Sequence, residues 1–148
     1  MKVKISIFLI SLILFTGCGD EEDSLSNDID FFSNHAGSVW ATSNNWWLRI
    51  NNDSSDEYDG DGKCVNFPAA DGIYNGWEEG NRFNQTIIRN EANFVSWKLD
   101  YIEGTGRTGT LSYSVNATGN KLTYNNTYGE DYVYTKVNDT FPGTDCKN

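Results

Sequence analysis

Between Asp53 and Gly62 the chain reads Asp53-Ser54-Ser55-Asp56-Glu57-Tyr58-Asp59-Gly60-Asp61-Gly62. Oxygen ligands at alternate positions, with a glycine at the sharp turn, are how a single loop supplies a calcium ion. Counting from Glu57 puts Asp59, Asp61 and Gly62 in the places of an EF-hand-like loop, but the twelfth position is Pro68, where a bidentate glutamate is needed. The segment is therefore expected to be a solvated hairpin loop, with Glu57, Asp59 and Asp61 as its calcium candidates and no cofactor. Catalysis has less to work with. His35, beside the tether, is the sole histidine, and with Cys64 and Cys146 expected to be bridged no Ser/His/Asp or Cys/His set is expected from that lone imidazole. Its expected place is the barrel mouth, exposed or half-buried. Glu78-Glu79 and Glu130-Asp131 are the carboxylate pairs open to glycoside hydrolysis, yet adjacent residues on a strand point to opposite faces. The expectation is that the protein is not an enzyme.

Cysteine chemistry is more informative. Leu14-Phe15-Thr16-Gly17-Cys18 closes an apolar run that follows Lys2 and Lys4, the order of a lipoprotein signal peptide and its lipobox. Residues 1–17 read as that signal, too short for a spanning helix, and Cys18 as the lipidated residue. Several acyl chains hold a domain on a membrane essentially irreversibly, whereas one binds marginally. Residues 18–30, with Asp20-Glu21-Glu22-Asp23, have little to bury and repel themselves, which makes a solvated tether. An acidic cluster in that place resembles an export signal to the outer face of the outer membrane; an acidic linker facing the periplasm is the alternative. Cys64 and Cys146 remain as an even pair in an oxidising compartment and are expected to be bridged.

Charge narrows the partners. Six of the 21 acids lie in the tether and two of the 11 bases in the signal, which leaves residues 31–148 with 15 acids against nine bases. A net-negative globule does not hold nucleic acid by charge. That stretch is one domain's worth of chain.

The elements that must position these groups are strands. Residues 45–51 alternate, with Trp46, Leu48 and Ile50 on one face and Trp47, Arg49 and Asn51 on the other. In 93–101, Val95, Trp97, Leu99 and Tyr101 face one way; Leu111, Tyr113 and Val115 repeat the pattern, as do Leu122 with Tyr124 and the alternating run 132–137. Shorter strands are expected at 38–42, 64–67, 72–77 and 84–90, with a brief helical turn within 28–36 plugging one end. Asn- and Gly-rich turns separate them. Closing such a meander removes both unpaired sheet edges, so the expected fold is all-β: a small antiparallel up-and-down barrel of about eight strands, with a two-sheet sandwich as the alternative. Trp46, Leu48, Val95, Trp97, Leu111 and Tyr113 would line its interior. Trp47 and Trp77 are the candidate surface aromatics, able to stack on a sugar or anchor a protein.

The lipobox, the acidic spacer, Phe31-Phe32 followed by Gly37-Ser38-Val39-Trp40, the meander and the closing Tyr132-Val133-Tyr134-Thr135-Lys136-Val137 together resemble the small lipocalin-like lipoproteins of the Bacteroidota. The resemblance implies a lipid-anchored, cell-surface protein of the outer membrane whose barrel binds a small, lipophilic or other compact, molecule. The alternative is a surface interaction module for a protein or glycan, such as a hydrolase inhibitor, with a filled barrel and its function on its loops.

Overall fold

A computed structural model of the chain describes residues 29–104, 107–144 and 146. The signal peptide, Cys18 and nearly all of the tether lie outside the described residues.

The fold is all-β. Ten strands, β1 (Val39–Ala41), β2 (Trp47–Ile50), β3 (Ser54–Tyr58), β4 (Cys64–Pro68), β5 (Gly72–Asn75), β6 (Arg82–Glu91), β7 (Phe94–Glu103), β8 (Gly109–Val115), β9 (Lys121–Asn126) and β10 (Asp131–Val137), form one sheet. Its order is β4-β3-β2-β1-β10-β9-β8-β7-β6-β5. Every pairing is antiparallel, and the first strand pairs with the last, Val39 opposite Val137. The sheet is thus an up-and-down barrel, nearly closed, with ten strands rather than about eight. Its two edges, β4 and β5, are consecutive in the chain. There the amide of Gln85 spans the seam, donating from Nε2 to the carbonyls of Pro68 (2.7 Å) and Ala70 (3.0 Å).

The expected solvated loop at 53–62 is where the count changes. Ser54–Tyr58 is a strand, ladder-bonded to both β2 and β4, and its first four residues are buried. Only residues 59–63 form the turn. There Asp59 Oδ1 accepts from the amides of Asp61 (2.8 Å) and Lys63 (3.1 Å), and Gly60 takes φ +82° with the Asn45 carbonyl 2.6 Å from where a Cβ would stand. A side chain there would be strained and obstructed.

Successive residues of β3 face opposite ways. Asp56 points outward between its register partners Arg49 and Asn66. Its carboxylate accepts from Arg49 (2.6 and 2.9 Å), Asn51 (2.9 Å) and Asn66 (2.7 Å). Burial pushes its pKa up, but the bonds from Asn66, Asn51 and Arg49 outweigh this and hold it below the ordinary value. The C-terminal tail covers this face. The Arg49 guanidinium lies 4.7 Å from the Phe141 ring centre, Tyr58 meets that ring edge-on, and Cys146 stands at disulfide distance from Cys64 of β4, Cα to Cα 4.5 Å.

The opposite end of the chain closes one end of the barrel. Asp30 caps the helix α1 (Phe31–His35) by accepting from the Ser33 amide at 2.9 Å, and Asn34 donates to the Ala92 carbonyl at 2.8 Å in the β6–β7 turn. Phe31 then faces Tyr113 at 6.2 Å between ring centres and Phe32 meets Trp97 at 5.9 Å. Both phenylalanines are fully buried, in a core with Trp40, Leu48, Ile50, Val95 and Leu122. His35 is not at the mouth. As the last residue of α1 it is buried within the plug itself, 3.2 Å from Asn93 Oδ1, and burial lowers its pKa.

Candidate functional site

With α1 filling one end, the space left inside the barrel lies toward the other, where the turns 42–46, 59–63, 76–81 and 127–130 gather. It is a cavity of about 110 Å³. Its wall is largely aromatic, with Phe67, Trp77, Phe83, Trp97, Tyr101 and Tyr124 contributing rings. Above them Trp46 sits 5.2 Å from Trp77 and stacks on Tyr132 at 6.4 Å, which completes an aromatic rim.

Into this apolar wall the inward face of β3 introduces Ser55 and Glu57. Glu57 is buried, 9 % exposed. One carboxyl oxygen accepts the hydroxyl proton of Tyr113, from β8 across the barrel, and the other accepts Trp77 Nε1–H at 2.9 Å. Among the described residues no lysine, arginine or histidine forms an ion pair with it. Burial raises its pKa, and the hydrogen bonds from Tyr113 and Trp77 offset that only in part. Burial, then the adjacent Glu57, pushes the Tyr113 hydroxyl well above its ordinary value, so it stays a donor. Tyr124 and Tyr134 are raised for the same two reasons.

Ser55 and Trp97 also line the cavity. Among the described residues their Oγ and Nε1 atoms are buried without a hydrogen-bond partner, and such groups cost about 1–3 kcal/mol each when left unmade.

Of the expected lining residues, Trp97, Leu111 and Tyr113 face the cavity. Leu48 and Val95 are fully buried in the core beneath it, and Trp46 packs at its rim. Trp77 is half-buried, its indole N–H turned inward to Glu57 while the Lys63 ammonium stands over its ring. Trp47 does lie on the outer face, half-buried, its Nε1 donating to Asn45 Oδ1 at 2.9 Å. The calcium candidates are parted: Glu57 is committed to Tyr113 and Trp77 inside while Asp59 ties the turn through backbone amides. Among the described residues no three histidine, cysteine or acidic side chains converge on one point.

What sequence reasoning missed is Glu57 with Ser55 and Gln85. A signal was present: two turn signatures, Asn51-Asn52-Asp53 and Asp59-Gly60-Asp61-Gly62, bracket five residues, one strand's length. Against known proteins, no family model matches the chain, and neither does a curated protein or a solved structure.

Proposed function

We propose that this protein is a non-enzymatic binding protein that takes up a small molecule inside its barrel and is held on the outer membrane, at the cell surface, through lipid on Cys18. The observation that carries this reading is the cavity beneath Trp46, walled by aromatic rings and bordered by a buried carboxyl. A concave, mostly apolar site with a few convergent polar groups is what small-molecule recognition requires. At about 110 Å³ the space suits a compact molecule and is too small for a long acyl chain. The lipobox and acidic spacer support the anchor, and the barrel accords with the likeness to lipocalin-like lipoproteins.

Native mass spectrometry with organic extraction, on protein purified from a bacterial envelope, tests this. A co-purifying small molecule, together with diacylglycerol mass on the peptide beginning at Cys18, is the expected result. A bare protein mass with no thermal shift across a library of small polar and aromatic compounds would overturn it.

A further inference from the structure

We infer that the occupant is a small organic cation, an ammonium group, with Glu57 as its counter-ion. This rests on the binding reading above and names the ligand class for that same site.

Three observations converge. Among the described residues Glu57 is the one acidic side chain on the cavity wall, and it has two neutral donors and no cation as partners. A lone carboxylate removed from water is costly, and a ligand that brings the missing positive charge relieves that cost. The wall opposite is made of π-faces, which attract ammonium groups most strongly where water is excluded. Trp77 already shows the preference on its outer side, where the Lys63 ammonium stands 5.5 Å from its ring centre. Lastly, the space is several times what a single water needs and yet small, which suits a compact group. A quaternary ammonium of the size of choline satisfies charge and volume together.

The groups facing Glu57 from the packed strands are the phenols of Tyr113, Tyr124 and Tyr134 and the indole of Trp77, none of which ionises near neutral pH. Cation uptake therefore draws on one titrating group. Where Glu57 is protonated in the empty barrel, binding expels its proton.

The probe is choline, set against its neutral carbon isostere, in which a quaternary carbon replaces the nitrogen. Both are titrated calorimetrically into the full chain in non-ionic detergent, in buffers of different ionisation enthalpy. The expected result is at least about tenfold tighter binding of choline, falling to parity in Glu57→Gln, with proton release that this variant abolishes. Near-UV circular dichroism confirms that the variant keeps its aromatic packing. Trp77→Phe, which retains a ring and Glu57, is expected to keep the preference for charge. Equal or tighter binding of the neutral isostere, or an unchanged preference in Glu57→Gln, overturns the cation assignment and leaves a binder of neutral molecules. If neither compound binds and extraction yields no cargo, the binding reading falls with it.

Discussion

Tyr113 donates its hydroxyl to Glu57 across the barrel interior, from β8 to β3, two strands that are far apart in the order of the sheet. The bond spans 56 residues of sequence. It makes the polar centre of the molecule a meeting of opposite walls rather than a property of one loop.

The raised pKa of Glu57 fixes a sign. A carboxyl that holds its proton more tightly folded than unfolded stabilises the fold at low pH, and this contribution fades as pH rises from its ordinary value of 4.5 to its folded value. Glu57→Gln removes the fading. In urea titrations of the empty protein, the variant should gain stability relative to wild type as pH rises from about 5 to 8. A constant difference across that range would show that Glu57 is ionised throughout.

Acid should act the other way through Asp56 and His35. Both pKa values are lowered on folding, Asp56 by its bonds from Asn66, Asn51 and Arg49 against burial, and His35 by burial. Stability present above their ordinary values is lost as pH falls through the folded ones, His35 first and Asp56 below about pH 4. Asp56→Ala should cost roughly 2–4 kcal/mol at neutral pH and flatten the lower limb, the Arg49 end being partly in water and so worth less. Loss of the lower limb without loss of neutral stability would mean that Arg49 finds another partner.

Much of the fold was legible before any coordinates, and the reason is periodicity. In β7, Val95 and Trp97 are buried as the alternation demands, and Tyr113 and Tyr134 follow the same rule. β3 escaped because each of its acids is hydrogen-bonded by groups that a local reading does not join to it: Asp56 by Arg49 and Asn66 on neighbouring strands, Glu57 by Trp77 and Tyr113. Polar residues in sequence signal solvent unless their partners are known, and partners are a tertiary property. The inward bond from Trp77 to Glu57 was hidden for the same reason.

The cysteine pair anchors the tail over β2, β3 and β4. Closing a loop of 82 residues contributes roughly 3–5 kcal/mol in the chain-entropy model. Cys64→Ser should lower the melting temperature and expose residues 138–146 to limited proteolysis, while Glu57 keeps its inner partners. Protection of the tail in the variant would show that Phe141 alone suffices to hold it.

Truncating the plug tests the closed end. Phe32→Ala should cost about 3–5 kcal/mol and open a second void beneath Trp97. Increased uptake of a hydrophobic dye at this end, with choline binding retained, is the expected pattern; a loss of both would show that α1 also shapes the upper cavity.

The seam at Gln85 gives the barrel one further property. In a fully laddered cylinder, strand number and stagger set the radius, and every ladder must break before it can change. Between β4 and β5 no ladder runs, and beside the covalent link 69–71 the gap is spanned by the Gln85 amide of β6 and by the Phe67–Phe83 ring contact. A change of circumference along that line would break side-chain contacts and no ladder, as opening a clasped cuff does. β3, which carries the buried Glu57, lies one strand from the clasp, so such a change would act first on the wall that holds this carboxyl.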